Sequence, residues 1–382
     1  MFTENLIQMQ SPTRLSILAN FFSDEETAIN HLISNINFSE QDKKAIFEQA
    51  RKFVQGIREN RLKKRGLDSF IHEYDLSTEE GITMMCLAEA LLRIPDKINI
   101  DKLIKDKITK ADWEAHLNKS DSTFVNAATF GLMLTGKLLS PETFSSSHLV
   151  RVFKKLFEKA GEPIVRKAIS QAMRILGKQF VLAQTIEGAL KRAEKYQARG
   201  YSFSYDMLGE GALTAEDAER YLQSYLKAAQ AIGQKAKHQN IYQNPGISVK
   251  LSALHPRYEF KMRQFCENEI TERLIALAQI CEKYNISLIV DAEEAHRLDI
   301  SLNIFENTFA DERLKNYNGL GLAIQAYQKR SWFVLDWLRD LALKHQKRIM
   351  VRLVKGAYWD YEIKNAQQKG LKDYPVFTRK VG

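Results

Sequence analysis

Residues 350–360 (M-V-R-L-V-K-G-A-Y-W-D) begin with the apolar bulk of a buried strand and lead through a glycine and two aromatic residues into a helical pattern. The strand carries a cation, Arg352, and a second cation, Lys355, follows it. Burying a cation without a partner costs several kcal/mol. We therefore expect an anion, or a group that becomes negative, close to Arg352.

This strand and helix form the last of five similar units after Gly200. Strands that alternate with helices predict right-handed βαβ units and a parallel sheet. Five consecutive units without a change of pattern favour a (β/α)8 barrel, and we expect five of its eight units in this chain. The predicted strands are 201–207, 247–251, 286–291, 320–326 and 349–354, and the helices after them are 214–237, 260–284, 296–310, 331–344 and 359–369.

The first half of the chain is predicted to be helical. A helix is expected over 41–65, and S-T-E-E at 77–80 has the pattern of a capping box that begins another helix. The sequence therefore predicts an α/β protein in three parts. These are a helical arm over 1–65, an α-helical domain over 66–182, and a barrel over 183–382 that is truncated at its C-terminal end.

Composition limits the possible classes of protein. Hydrophobic residues make up 45% and charged residues 27% of the 382 residues, as is usual in globular proteins. No apolar run reaches the ~18 residues of a membrane helix, and the first residues do not have the pattern of a secretory signal. Cys86, Cys266 and Cys281 lack C-x-x-C spacing. We expect reduced thiols and a cytoplasmic protein.

A basic segment at 51–65 contributes to the net charge of +9. On a helix its arginines share one face and its apolar side chains share another. One interpretation is attraction to nucleic acid or to an anionic membrane surface, and the other is a solvated helix face. The two faces comprise Arg58, Arg61 and Arg65, and Phe53, Val54 and Ile57.

Each predicted strand carries a polar or charged residue at or just after its end. The carboxyl ends of the strands of a (β/α)8 barrel form one mouth, where function is located. Five such residues at the same end therefore predict one site, in which Asp291 and Gln325 are expected as partners of Arg352. The residues are Asp206, Lys250, Asp291, Gln325 and Arg352.

Two glycine motifs do not predict nucleotide sites. In residues 209–214 (G-E-G-A-L-T), Thr214 replaces the third glycine of a dinucleotide fingerprint and is predicted to cap a helix. Residues 131–137 (G-L-M-L-T-G-K) have Leu138 where a P-loop needs Ser or Thr. The histidines lack the spacing of metal ligands, so no metal site is predicted.

Two other functions are compatible with the residue pattern. A lysine inside a barrel strand is typical of aldolases that form a Schiff base, and Lys250 would be that lysine. A charged helical module that binds membrane or nucleic acid without catalysis is the alternative outside enzymes.

Long motifs indicate a specific family. The chain resembles the proline dehydrogenase part of the proline utilization A family, and the resemblance covers nearly its whole length. In the barrel the motifs are residues 204–210, 247–258, 291–295, 325–330, 351–360 and 374–380, and in the helical half they are 74–81, 88–96 and 124–129.

The resemblance implies a flavoenzyme that oxidises L-proline to Δ1-pyrroline-5-carboxylate with FAD and passes the electrons to a membrane quinone. It implies that Arg352 stabilises negative charge on the reduced flavin, that Lys250 holds the proline carboxylate, and that Asp291 orders the site. Tyr358 is implied as a substrate-pocket residue, with Asp206 and Glu210 at the entrance. The implied cofactor contacts are Met207, Gln325, Arg352, Val354, Lys355, Gly356, Ala357 and Trp359.

The resemblance also predicts partners and departures. It implies a homo-oligomer of the complete protein and peripheral association with the inner face of the cell membrane. Nothing before residue 40 resembles the family's ribbon-helix-helix module, so no DNA-binding domain is expected. The last three barrel strands and the aldehyde dehydrogenase module are expected to be missing, and the chain alone is expected to be inactive.

Overall fold

The computed structural model describes residues 11–63, 181–207, 209 and 211–379. By its contacts the chain divides into two units, one formed by residues 1–37 together with 190–382 and the other by residues 38–189. The predicted helical domain over 66–182 lies almost wholly outside the described residues, as does Cys86. The predicted domain boundaries therefore stay predictions.

The described helices of the N-terminal part are short or amphipathic. Helix α1 spans Pro12–Ala19, with Ser11 as its N-cap and proline at its first position. Helix α2 spans Glu25–Ser34 and is capped by Asp24, which accepts from the Thr27 N–H at 2.9 Å. Helix α3 spans Glu40–Lys63, which confirms the helix predicted over 41–65.

Helix α3 presents apolar side chains to solvent. Phe53 is 63% exposed and Ile57 is 68% exposed, and Arg58 follows them in the sequence. This exposure is compatible with a surface that binds nucleic acid or membrane and with a solvated helix face, so both interpretations stay predictions. Among the described residues no helix is long and apolar enough to cross a bilayer.

Five parallel strands form one sheet in their sequence order. They are β1 (Ser204–Asp206), β2 (Gly246–Val249), β3 (Ser287–Val290), β4 (Leu320–Gln325) and β5 (Met350–Val354). Helix α4 (Ile186–Gln197) precedes β1, and the helices after the strands are α5 (Ala215–Gly233), α6 (Arg263–Lys283), α7 (Leu298–Ala310), α8 (Ser331–His345) and α9 (Trp359–Gln368). The predicted partial (β/α)8 barrel of five units is confirmed.

The registers of the strands place all their carboxyl ends at one edge of the sheet. Asp206 pairs with Ser248, Val249 with Val290, and Gln325 with Val354. Strands β2, β3 and β4 are buried along their whole length, whereas side chains of β5 alternate between half-buried and exposed.

Local sequence fixes the start of α5. Thr214 Oγ1 accepts from the Asp217 N–H at 3.1 Å, and the Asp217 carboxylate accepts from the Thr214 N–H at 3.2 Å. This reciprocal capping box confirms the prediction that Thr214 caps a helix and does not belong to a dinucleotide fingerprint.

Candidate active site

The carboxyl end of the sheet carries a network of two cations and two carboxylates. The Lys250 ammonium, directly after β2, lies 3.3 Å from both carboxylate oxygens of Asp206 and 3.3 Å from Oδ2 of Asp291. Arg352 on β5 donates from Nη1 to Oδ1 of Asp291 at 2.9 Å and from Nη2 to Oγ of Ser204 at 2.7 Å. Side chains from β1, β5 and the ends of β2 and β3 thus meet at one place.

Asp291 joins the two cations. Its side chain is 12% exposed, whereas those of Lys250 and Arg352 are 17% and 34% exposed. Burial raises the pKa of the Asp291 carboxyl, the positive charges of Lys250 and Arg352 oppose the rise, and the negative charge of Asp206 adds to it. The structure therefore supplies the expected anion, but Arg352 is only half-buried, because β5 is not the buried strand that its apolar residues predict.

Lys250 does not have the surroundings of a Schiff-base lysine. Such a lysine is activated by an apolar pocket or by a neighbouring cation. The Lys250 ammonium instead lies between the carboxylates of Asp206 and Asp291. This arrangement is an ion-pair network and does not favour the aldolase alternative.

The second expected partner of Arg352, Gln325, is engaged elsewhere. Its Nε2 donates to the carbonyl of Glu293 at 2.7 Å, and its Oε1 accepts from the Tyr327 hydroxyl at 2.8 Å and from the Ala357 N–H at 3.3 Å. Gln325 is only 3% exposed. Its amide therefore links the loops that follow β3, β4 and β5.

The loop after β5 lies against Tyr327. Gly356 has φ +120°, and a Cβ at this position would collide with the Tyr327 ring. The Tyr327 hydroxyl also accepts from the Tyr358 N–H at 3.3 Å. The indole N–H of Trp359 donates to the carbonyl of Phe377 at 2.8 Å. Only glycine allows the backbone of this loop to approach the ring so closely.

We expect Gly356→Ala to displace the loop after β5. The substitution adds strain at a positive φ and a collision with Tyr327, and should destabilise the fold by at least about 1–3 kcal/mol. The measurement is chemical denaturation. Gly370→Ala is the matched control, because Gly370 also has a positive φ of +62° but an added Cβ would meet nothing within 4 Å. Equal losses in both variants would show that the contact with Tyr327 has no special importance.

The remaining predicted site residues lie at the same end of the sheet, except for Glu210, which lies outside the described residues. The roles that the resemblance implies for them stay predictions. Met207, Val354, Tyr358 and Trp359 are half-buried, and Lys355 and Ala357 are exposed.

Three residues that hold the predicted site residues in place were not predicted themselves. Ser204 accepts from Arg352, the Glu293 carbonyl accepts from Gln325, and the Tyr327 hydroxyl joins two loops. All three lie inside motifs that carry the family resemblance, at 204–210, 291–295 and 325–330. Their place in these motifs was the one signal in the sequence that they matter. A serine, a backbone carbonyl and a tyrosine do not by themselves indicate their hydrogen-bond partners.

Three protein-family models match the chain. A model described as "Proline dehydrogenase" matches residues 189–382, and "Proline utilization A proline dehydrogenase N-terminal domain" matches residues 11–58. A third, "DNA-binding domain of Proline dehydrogenase", matches residues 66–180. This last description disagrees with the expectation that the chain has no DNA-binding domain, and the residues it matches lie outside the described part of the chain.

Relatives of known sequence resemble the whole chain or about half of it. "Bifunctional protein PutA" of Klebsiella aerogenes is 46% identical over 387 residues, which cover 100% of this chain and 29% of the relative. "Proline dehydrogenase 1" of Bacillus subtilis is 27% identical over 203 residues, which cover 53% of this chain and 59% of the relative. The chain thus spans about 29% of the length of the bifunctional relative.

Solved structures show the same fold. A crystal structure of a Bradyrhizobium japonicum proline utilization A variant has a TM-score of 0.65 and 40% sequence identity, and the match covers 94% of this chain and 36% of that one. Proline utilization A from Bdellovibrio bacteriovorus has a TM-score of 0.56 at 21% identity, which is a likeness of fold alone.

Proposed function

The chain belongs to the proline dehydrogenase family, and from this premise we propose that it forms the part of a proline utilization A protein that oxidises L-proline to Δ1-pyrroline-5-carboxylate. The observation that carries the proposal is the network at the carboxyl end of the sheet, where Asp291 bridges Lys250 and Arg352. L-Proline is a zwitterion. A mouth that presents two cations and two carboxylates offers partners for both of its charges.

The residues present fit a flavin cofactor in the charge they offer. The network supplies a cation, Arg352, on the strand that leads into the loop of residues 354–357, and an electron-rich reduced flavin would need such a cation. FAD, when bound, accepts the hydride that leaves the proline ring. The residues that would hold it are Met207, Gln325, Arg352, Val354, Lys355, Gly356, Ala357 and Trp359.

The side chains of the chain have separate roles in this proposal. Lys250 would bind the substrate carboxylate and Asp206 would keep the ammonium in place when the substrate is absent. Asp291 would orient both cations. Arg352 would stabilise the negative charge that the cofactor gains, which is an electrostatic contribution from a group already held in position. Tyr358, at the N-terminus of α9, would line the substrate pocket.

The electron acceptor, the location in the cell and the oligomeric state are proposed from the family alone. The electrons would pass from FAD to a quinone in the membrane, and the protein would be cytoplasmic and bound peripherally to the inner face of the cell membrane. The complete protein would form a homo-oligomer.

The experiment uses the full-length protein loaded with FAD and mixed anaerobically with L-proline. We expect L-proline to bleach the flavin absorbance, and Lys250→Met to weaken substrate binding by about tenfold or more, since it removes a charge-assisted contact. Lys261→Met is the matched control, because Lys261 is 78% exposed and pairs only with Glu259 among the described residues. A flavin that L-proline does not reduce would overturn the proposed function.

A further inference from the structure

The turn between α1 and α2 contacts loops at the carboxyl end of the sheet. The Lys329 ammonium donates to the carbonyl of Ser23 at 2.9 Å, and the Arg330 guanidinium lies 4.0 Å from the centre of the Phe21 ring. Glu25, the first residue of α2, accepts from the Thr378 N–H at 3.1 Å and from its hydroxyl at 3.1 Å. An N-terminal carboxylate thus fixes a segment 353 residues further along the chain.

The segment next to Thr378 is bonded to the loop after β4. The Phe377 N–H donates to the Tyr327 carbonyl at 2.9 Å, and the Lys329 N–H donates to the Pro375 carbonyl at 3.2 Å. Val376 is fully buried between these bonds. Residues 375–378 therefore form a short strand-like strap over the loop that carries Tyr327.

The strap is also connected, through two sets of hydrogen bonds, to residues 354–359, which include the candidate cofactor contacts that follow β5. The Phe377 carbonyl accepts from the indole N–H of Trp359. Tyr327, held by Phe377 through its backbone, bonds through its hydroxyl to Gln325 and to the Tyr358 N–H. Both sets of hydrogen bonds therefore begin at Phe377, one at its carbonyl and the other at its N–H.

We propose that Glu25 is a positioning residue for the FAD site. It anchors the strap at Thr378, and the strap in turn fixes Trp359 and Tyr327 and, through Tyr327, the loop of residues 354–358. The inference rests on the proposed function only for the identity of the ligand. A charged acceptor is suited to this task, because hydrogen bonds to an ionised group are about twice as strong as neutral ones.

The geometry distinguishes Glu25 from its neighbour. Both oxygens of Glu25 lie 3.1 Å from the Thr378 nitrogen, whereas Glu26, the next residue of the same helical turn, is exposed. Substituting either residue removes the same charge from the first turn of α2 and has a similar effect on the helix dipole. Only the change at Glu25 also removes the acceptor of Thr378.

The experiment compares Glu25→Ala, Glu25→Gln and the control Glu26→Ala in the full-length protein. Amide hydrogen exchange is measured without FAD, and FAD affinity is measured by titration of the protein freed of flavin. For Glu25→Ala we expect about tenfold faster exchange at the amides of Phe377, Ala357 and Tyr358 and about tenfold weaker FAD binding. Glu25→Gln keeps an acceptor oxygen and should lie between wild type and Glu25→Ala. Glu26→Ala should match wild type.

Two results would overturn the proposal. One is exchange in Glu25→Ala that is unchanged at Ala357 and Tyr358, or no faster than in Glu26→Ala. The other is faster exchange with unchanged FAD affinity, which would limit Glu25 to a local structural contact. Amides inside β3 and β4 report whether the fold as a whole is intact, and they should not change. If wild type itself binds no FAD, the proposed function fails, while the exchange rates still decide whether Glu25 positions the loop.

Discussion

Replacing Arg352 by methionine is expected to slow reduction of the flavin by L-proline about 10²–10³-fold in the FAD-loaded full-length protein. Removing one fixed donor that stabilises developing negative charge costs roughly 2.7–4 kcal/mol in comparable sites. Arg352 is fixed by Asp291 on one side and Ser204 on the other, so its charge needs no rearrangement during the reaction. The measurement is the rate of flavin bleaching after anaerobic mixing.

Two further variants make this result specific. Arg352→Lys keeps the charge but loses the fork that reaches Asp291 and Ser204 together, and should give an intermediate rate. Arg348→Met removes an exposed arginine from the residues just before β5 and should leave the rate unchanged. Bleaching by Arg352→Met at the wild-type rate, with normal flavin content, would refute the electrostatic role of Arg352.

The sheet could be predicted because its determinants are local. Each strand is a short apolar run that ends at a polar residue, and each helix after it has its own apolar periodicity. Once the strands are parallel, their carboxyl ends share one edge, and in a barrel, where consecutive strands are adjacent, Lys250 and Asp291 are expected to be neighbours. The contact of 3.3 Å between them agrees with this expectation.

The links around the site could not be predicted because they depend on long-range packing. No pattern indicates that Ser204 on β1 accepts from Arg352 on β5, 148 residues away. The same is true of Arg14, whose guanidinium donates to the carbonyl of Asp299 and to Asn303 Oδ1, each at 2.7 Å. Sequence periodicity gives the buried face of a helix, but it does not give the partner of a buried cation.

Buried cations of this kind connect the arm to the site. Helix α1 packs against α8, and the Arg14 guanidinium lies 5.4 Å from the centre of the Trp337 ring. Arg330 is completely buried beneath Phe21, and it donates to the Ala295 carbonyl in the loop after β3. That loop begins at Asp291. Helix α1 and the turn after it therefore cover Arg330, which holds the loop after β3.

Replacing the fully buried Arg330 by methionine should strongly destabilise the fold. Arg330 Nη1 donates to Oδ2 of Asp299 at 3.0 Å, and Nε donates to the Gln328 side chain at 3.2 Å. Burial lowers the pKa of Arg330, and the Asp299 carboxylate opposes this shift. Arg330→Met leaves that carboxylate, 13% exposed, without this cation, and we expect the free energy of unfolding to fall by roughly 3–5 kcal/mol. Denaturant-induced unfolding measures it.

A double-mutant cycle separates the ion pair from the packing of the side chain. Asp299→Asn alone should also destabilise the fold, because it leaves the buried Arg330 guanidinium without its carboxylate. In the double variant no buried charge lacks its partner, so its loss should be smaller than the sum of the single losses by about 0.5–3 kcal/mol. Strict additivity would show that Arg330 acts only through its other contacts, with Phe21, the Ala295 carbonyl and Gln328. A coupling in the expected range would show that the ion pair of Arg330 and Asp299 stabilises the fold beyond the packing of the two side chains.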